Sequence, residues 1–125
     1  MATKVLYIED ESFLRELATT KLTQAGYEMY SAVDGEEGLA RAAQIMPDVI
    51  LLDIILPGMS GYDVLHKLQS SPSVSQIPVI MLTNLGSKTD IAEGAKRGAV
   101  DYIIKASMTP NDIIKKIEKV LQRKN

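Results

Sequence analysis

Short runs of apolar and β-branched residues alternate with longer amphipathic stretches along the chain. We interpret five of these runs as β-strands: KVLYIE (4–9), YEMYSA (27–32), DVILLD (48–53), PVIMLT (78–83) and VDYIIK (100–105). Three of them are unbroken apolar runs, which is typical of strands covered on both faces. The second alternates polar with apolar residues and is predicted to be a half-exposed edge strand.

Capping signals mark where helices begin between these strands. At four places a capping side chain stands three residues before an acid, as in a capping box: Asp34–Glu37, Ser60–Asp63, Ser87–Asp90 and Thr109–Asp112. Pro110 suits the first turn of the last of these helices. The first helix is predicted to end at Gly26.

Two predicted helices carry a clear apolar face. In the last helix this face consists of Ile113, Ile114, Ile117, Val120 and Leu121. In the first helix it consists of Leu14, Leu17, Ala18, Leu22 and Ala25. Five alternating β-α units imply right-handed crossovers, and therefore an α/β fold in which helices cover both faces of a parallel sheet. We expect one domain spanning residues 1–125, with no output domain in this chain.

Composition and charge restrict the classes of function. Hydrophobic residues make up 46% and charged residues 24% of the chain, which is typical of a globular domain. The formal charge of −2 indicates no direct binding to nucleic acid or to a membrane surface. With no cysteine there is no thiolate nucleophile and no cysteine-ligated metal. No apolar run reaches the length of a membrane span, so we expect a soluble cytoplasmic protein.

Chemically active side chains collect where the strands end. The ends of the first, third, fourth and fifth strands carry, in that order, Glu9–Asp10–Glu11, Asp53, Thr83 and Lys105. Ligands of open parallel sheets bind in the crevice beyond the carboxyl ends of the strands. The sequence therefore predicts one site on this edge of the sheet.

The residue types at this edge indicate phosphoryl chemistry. If the first and third strands are adjacent, about 4.8 Å apart, their terminal carboxylates repel each other unless a cation intervenes. Carboxylates without histidine or cysteine suit Mg²⁺, which binds through one or two carboxylates plus phosphate and water. Lys105 would stand about 10 Å from Asp53 between strand axes, but its long side chain can reach back to bring an ammonium to the site, and Thr83 adds a hydroxyl. Asp53, acting as the nucleophile, would become an acyl phosphate.

These residues resemble the receiver domain of two-component response regulators over essentially the whole chain. The likeness lies in four motifs in order: ED after the first strand, DIILPGMSG around Asp53, MLT ending the fourth strand and DYIIK at the fifth. It implies a flavodoxin-like (βα)5 doubly wound fold, with strand order 2-1-3-4-5.

The resemblance also implies a role for each site residue. Asp53 would accept a phosphoryl group from a phosphohistidine of a sensor kinase or phosphotransfer protein, and Lys105 would pair with a phosphoryl oxygen. Mg²⁺ would be held by Glu9, Asp10, Asp53 and the backbone carbonyl of Ile55. Thr83 would hydrogen-bond to the phosphoryl group, and Tyr102 would change rotamer with it.

A phosphorylated receiver would act as a switch rather than as a conventional enzyme. Beyond its own phosphorylation and slow autodephosphorylation, no catalysis is expected. The repacked surface would comprise the helix predicted from Ser87, the fifth strand and the last helix. It would bind a downstream effector or output domain, and the protein would be a monomer or a phosphorylation-dependent dimer.

Two positions depart from the family pattern. Ala106 follows Lys105 where the family usually has a proline after a cis bond; a cis bond here would cost about 2.5–4 kcal/mol, so either strain is tolerated or Lys105 approaches differently. Asn84 follows Thr83 where a small residue is common. Both leave open a receiver that never takes phosphate and works only as a docking surface.

Other classes fit the sequence less well. A flavodoxin needs a hydroxyl- and glycine-rich loop after the first strand, where this chain has EDES. A haloacid-dehalogenase-type phosphatase needs a second acid two residues after the nucleophile, where Ile55 stands. The segment GSKT at 86–89 lacks the glycine pattern of a P-loop, and we interpret His66 as a partly exposed structural residue.

Overall fold

The computed structural model describes residues 2–83, 92–93, 95–105 and 108–124. Its centre is a parallel five-stranded sheet in the order β2-β1-β3-β4-β5. The strands are β1 (Lys4–Ile8), β2 (Glu28–Ala32), β3 (Val49–Asp53), β4 (Val79–Thr83) and β5 (Asp101–Ile104). The predicted strand order is confirmed, and each strand lies within one residue of its predicted bounds.

Four helices have their bounds within the described residues: α1 (Ser12–Gln24), α2 (Gly35–Ile45), α3 (Gly61–Gln69) and α4 (Pro110–Lys124). Residues 92–93 and 95–96, between β4 and β5, are also helical. The capping box predicted at Ser87–Asp90 lies outside the described residues.

The other predicted helix starts are confirmed by hydrogen bonds. The Asp63 amide donates to the Ser60 hydroxyl over 3.2 Å, and the Ser60 amide donates back to the Asp63 carboxylate over 3.2 Å. The same reciprocal pair joins Thr109 and Asp112 at the start of α4. At α2 the Asp34 carboxylate accepts from the amide three residues later, at 2.8 Å.

The alternation of side chains along the strands builds two apolar layers. One face of the sheet, carrying Leu6, Ile8, Ile50 and Leu52, packs against α2 and α3. The opposite face, carrying Val5, Tyr7, Val49 and Leu51, packs against α1 and α4. Because consecutive strand residues serve opposite layers, the central strands must be apolar at almost every position.

Of the two predicted apolar helix faces, the structure confirms one and contradicts part of the other. The face of α4 is confirmed, since Ile113, Ile117 and Val120 are buried and Ile114 and Leu121 pack against them. The face predicted for α1 is partly wrong, because Leu17 is 41% exposed and Ala25 is exposed. Ala18 and Leu22, one helical turn apart, carry the buried contact, so α1 covers the sheet with a narrower stripe.

Strand β2 lies at the edge of the sheet and is mostly half-buried, as its alternating sequence predicts. Among the described residues, no helix combines the length and apolar character needed to cross a membrane.

Candidate functional site

Asp53 is the last residue of β3 and is only 5% exposed. Its carboxylate accepts a hydrogen bond from the Ile55 amide, 3.3 Å from Oδ1. Behind it, the first residue of α3 lies against the backbone of Asp53 and Ile54: the Gly61 amide donates to the Ile54 carbonyl over 2.7 Å. A Cβ on Gly61 would stand 2.2 Å from the Asp53 carbonyl oxygen, so this approach requires glycine.

Lys105, directly after β5, reaches across the end of β4 to the acids. Its Nζ lies 2.9 Å from Asp53 Oδ2 and 2.5 Å from Glu9 Oε1. The lysine side chain is 6% exposed, so the ion pairs are shielded from water. The predicted reach of Lys105 to Asp53 is confirmed, although the residue after it, Ala106, lies outside the described residues.

Glu9, the first residue after β1, is completely buried and is held by several donors. Besides Lys105, its Oε1 accepts a hydrogen bond from the Tyr7 hydroxyl at 3.2 Å, and its Oε2 accepts from the Glu11 amide at 3.3 Å. The Arg15 guanidinium of α1 donates to the Glu9 carbonyl oxygen over 2.8 Å. Both the side chain and the backbone of Glu9 are therefore fixed.

Three carboxylates converge at this edge of the sheet. One oxygen from each of Glu9, Asp10 and Asp53 lies within 4.8 Å of the others. Glu9 and Asp53 are buried, whereas Asp10 is exposed and open to solvent. This donor set, three hard oxygens with no nitrogen or sulfur, fits Mg²⁺ with water and phosphate oxygens completing the coordination.

The electrostatics of the cluster reflect crowded anions. Burial raises the pKa of Glu9, and the adjacent carboxylate of Asp53 raises it further, against the opposing effect of Lys105. Burial works to lower the pKa of Lys105, but the hydrogen bonds and charges of Glu9 and Asp53 outweigh it, and the pKa is raised. The buried carboxylates thus outnumber their ammonium partner and leave a demand for further positive charge.

The remaining predicted site residues are less completely described. Thr83 ends β4 and pairs with Ile104, but its side chain lies outside the described residues, as does Asn84. Tyr102 is half-buried on β5, with Lys116 Nζ 6.0 Å from its ring centroid. The side chain of Ile55 is 60% exposed, and the role of its carbonyl as a ligand stays a prediction.

Two contributors to the site were missed from the sequence. Tyr7 stands inside an apolar strand, where a tyrosine is an ordinary core residue, yet its hydroxyl reaches Glu9. Arg15 is spaced six residues from Glu9, and its contact depends on how α1 lies over the end of β1. A polar side chain two residues before a functional acid on the same strand was the available signal for Tyr7, because alternate strand residues share a face.

Comparison with known proteins agrees with this geometry. The model of the response regulator receiver domain family matches residues 5–118. The chain belongs to that family. This receiver domain is 40% identical, over 98% of its length, to a probable transcriptional regulator, ycf27, of Guillardia theta, and 39% identical over 84% of its length to the response regulator PleD of Caulobacter vibrioides.

Solved structures place the fold in the same family. The chemotaxis response regulator CheY4 of Vibrio cholerae superposes with a TM-score of 0.90 at 31% identity, covering 96% of this chain and 99% of that one. The curated relatives are longer: the matched part is 46% of the Guillardia protein and 23% of PleD. This chain therefore spans about half or less of the curated relatives named here.

Proposed function

We propose that this receiver domain takes a phosphoryl group on Asp53 from a phosphohistidine of a sensor histidine kinase or histidine phosphotransfer protein. The observation that carries the proposal is the contact set of Asp53: a buried carboxylate 2.9 Å from an ammonium and within 4.8 Å of the oxygens of two further acids. An isolated surface acid or a helix cap requires neither a buried ammonium nor two neighbouring carboxylates.

Asp53 is the nucleophile in this reaction. An oxygen of its carboxylate forms a bond to phosphorus while the bond from phosphorus to the histidine nitrogen breaks, and the imidazole leaves with that electron pair and takes up a proton. The Ile55 amide, 3.3 Å from Oδ1, orients the carboxylate. Lys105 leaves its resting contacts and pairs with a phosphoryl oxygen, and Thr83 donates a hydrogen bond to another.

Glu9, Asp10, Asp53 and the carbonyl of Ile55 are the ligands we assign to Mg²⁺. The cation supplies charge neutralisation for the phosphoryl oxygens and for the crowded carboxylates. Asp10 is the exposed member of the set and is open to an incoming ion. Glu9 and Asp53 are buried and fixed in place before the ion arrives, which reduces the reorganisation that binding requires.

Phosphorylation would then change a surface some distance from Asp53. The added group brings about −1.5 to −2 charges, and Thr83 and Tyr102 respond to it together. Tyr102 is half-buried on β5, and Lys116 of α4 lies close to its ring. Because allosteric couplings are typically about 1–3 kcal/mol, the outcome is a shift of population that favours binding of an effector or output domain.

The domain acts on no substrate other than its own aspartate, so we do not propose a conventional enzyme. Its partners are a phosphodonor protein and an effector, with neither nucleic acid nor membrane contacted directly. A monomer, or a dimer formed on phosphorylation, is compatible with this role. The cytoplasm stays the predicted compartment.

Intact-mass spectrometry tests the proposal. The protein is incubated with acetyl phosphate and Mg²⁺, and a gain of about 80 Da, the mass of a phosphoryl group in place of a proton, is expected. Asp53→Asn should abolish the gain, and Asp101→Asn, an acid on β5 outside the cluster, should leave it unchanged. A wild-type protein that gains no mass would instead favour a receiver that works only as a docking surface.

A further inference from the structure

The hydroxyl of Tyr7 approaches the proposed cation site from the hydrophobic core. The ring is fully buried in the apolar layer between the sheet and α1 and α4. Its hydroxyl donates to Glu9 Oε1 over 3.2 Å. Burial and the neighbouring charge of Glu9 raise the pKa of Tyr7, which keeps the phenol neutral and able to donate.

We propose that Tyr7 is a positioning residue that orients the carboxylate of Glu9 for the divalent cation. This inference rests on the proposed function, because it assigns Tyr7 a task only if the acid cluster binds a cation. Tyr7 would orient Glu9 through a single hydrogen bond. Tyr7→Phe removes that hydrogen bond and keeps the aromatic ring in the core.

The resting contacts of Glu9 explain why this hydrogen bond matters. Oε1 is shared by two side-chain donors, Lys105 Nζ at 2.5 Å and the Tyr7 hydroxyl at 3.2 Å. A divalent cation bound to Glu9 repels the Lys105 ammonium, and in the proposed reaction Lys105 turns to the phosphoryl group. Among the residues that the structure describes, Tyr7 is then the side-chain donor left on Glu9, and the backbone amide of Glu11 holds the other oxygen.

Mg²⁺ is more sensitive than Ca²⁺ to the orientation of a ligating carboxylate. It demands nearly ideal octahedral geometry with short bonds, whereas Ca²⁺ accepts a variable number of oxygens at longer distances. Loss of a hydrogen bond to a ligating carboxylate typically costs about 10–100-fold in metal affinity. A carboxylate free to rotate should therefore weaken Mg²⁺ binding more than Ca²⁺ binding.

The test is a titration of unphosphorylated, ¹⁵N-labelled protein with Mg²⁺ and, separately, Ca²⁺, followed by NMR. The amides of Glu11 and Ile55 are direct reporters because they donate to the carboxylates of Glu9 and Asp53. Tyr7→Phe should raise the Kd for Mg²⁺ by about tenfold. The Kd for Ca²⁺ should change by less than about threefold, because the coordination of that ion is adaptable.

The chain offers a matched control. Tyr30 on the neighbouring edge strand also donates its hydroxyl to a glutamate, Glu28, two residues away. Tyr30→Phe removes the same group from a pair outside the acid cluster and should leave both Kd values unchanged. In addition, Tyr7→Phe should have no further effect in a Glu9→Gln background, because Tyr7 acts through the Glu9 carboxylate.

Four results would overturn the inference. Unchanged Mg²⁺ binding in Tyr7→Phe would show that the hydroxyl does not orient Glu9. Equal weakening of both ions, or a Tyr7→Phe protein that does not fold, would assign the hydroxyl to stability alone. If the wild-type protein binds no divalent cation, the proposed cation site is wrong and the role of Tyr7 is wrong with it. The other three results would contradict the role of Tyr7 alone.

Discussion

The chain contains two lysine–aspartate pairs of similar length in very different surroundings. At the carboxyl edge of the sheet, Lys105 lies 2.9 Å from Asp53, and these side chains are 6% and 7% exposed. On the surface of β5 and α4, Lys116 lies 2.9 Å from Asp101, and the exposures are 37% and 12%. Lys105 also forms an ion pair with the fully buried Glu9. Among the ion pairs of the described residues, Lys116 contacts no second acid.

This difference separates a buried cluster with unbalanced charge from a partly exposed ion pair. Exposed ion pairs contribute little, because water already stabilises both charges. Buried charges depend on their partners, because desolvation is costly and removal of a partner leaves it uncompensated. A cluster with more buried carboxylates than ammonium groups is therefore poised to take up a cation, and the β5–α4 surface is not.

The largest expected effect is the loss of stability when the ammonium of Lys105 is removed, compared with removal of the ammonium of Lys116. Lys105→Met leaves Glu9 and Asp53 buried and unpaired, so we expect the free energy of unfolding in metal-free buffer to fall by about 3 kcal/mol. The matched variant Lys116→Met should lower it by less than about 1 kcal/mol. Denaturant titrations measure both values.

Added Mg²⁺ sharpens that comparison. It should recover part of the loss in Lys105→Met, because the cation neutralises the same carboxylates, and it should leave Lys116→Met no more stabilised than the wild type. Similar losses in the two variants would contradict the distinction between the two pairs.

A smaller effect should follow from crowding the backbone behind Asp53. The Cβ added by Gly61→Ala would lie 2.2 Å from the Asp53 carbonyl oxygen and 2.7 Å from Ile54 Cα. We expect a loss of about 1–3 kcal/mol in the free energy of unfolding and a displaced Asp53. Chemical denaturation measures the first, and the NMR shift of the Ile55 amide reports the second.

Gly58, in the loop that leads into α3, provides the control. It has a φ of +77° and nothing within 4 Å of an added Cβ, so Gly58→Ala should cost about 1 kcal/mol from backbone strain alone. It should leave the hydrogen bond from the Ile55 amide to Asp53 in place. If Gly58→Ala moved that amide as far as Gly61→Ala does, close packing of α3 would not be what positions Asp53.

The smallest expected effect is on the stability contributed by Asp112, an exposed acid at the start of α4. The Thr109 amide, which donates a hydrogen bond to the Asp112 carboxylate, and the neighbouring Thr109 hydroxyl lower the pKa of Asp112, the opposite of the raised pKa of Glu9. A lowered pKa contributes stability above the ordinary value of 3.8 that is lost as pH falls through the folded value. Asp112→Asn should therefore be less stable than wild type near pH 7, and the two should converge below about pH 4.

Denaturant midpoints measured across this pH range check the sign of the Asp112 effect. A gap between Asp112→Asn and wild type that widened as pH fell would contradict it. No change at any pH would mean that the capping box at the start of α4 adds nothing in solution.

Much of this architecture could be predicted because local rules coincide with the fold. Apolar runs located the strands, and the pairs Ser60–Asp63 and Thr109–Asp112 located two helix starts through hydrogen bonds within three residues. The reach of Lys105 to Asp53 was predictable because both stand at the carboxyl ends of parallel strands.

What could not be predicted depends on distances between elements. Arg15 was missed because its hydrogen bond to the Glu9 carbonyl depends on how α1 lies over the end of β1. The exposure of Leu17 was missed because periodicity gives a helix face but not how much of that face a neighbour covers. The roles of Thr83 and Tyr102 as a switch stay predictions.

The central claim, that crowded acids at the edge of the sheet hold a divalent cation and prepare Asp53 to attack phosphorus, is tested most directly by a crystal structure with Mg²⁺ and beryllofluoride, an analogue of the phosphoryl group. We predict beryllofluoride on Asp53, Mg²⁺ held by Glu9, Asp10, Asp53 and the Ile55 carbonyl, and Lys105 turned from Glu9 to a fluorine. A structure at saturating concentrations with no density on Asp53 and Lys105 still paired with Glu9 would contradict the account.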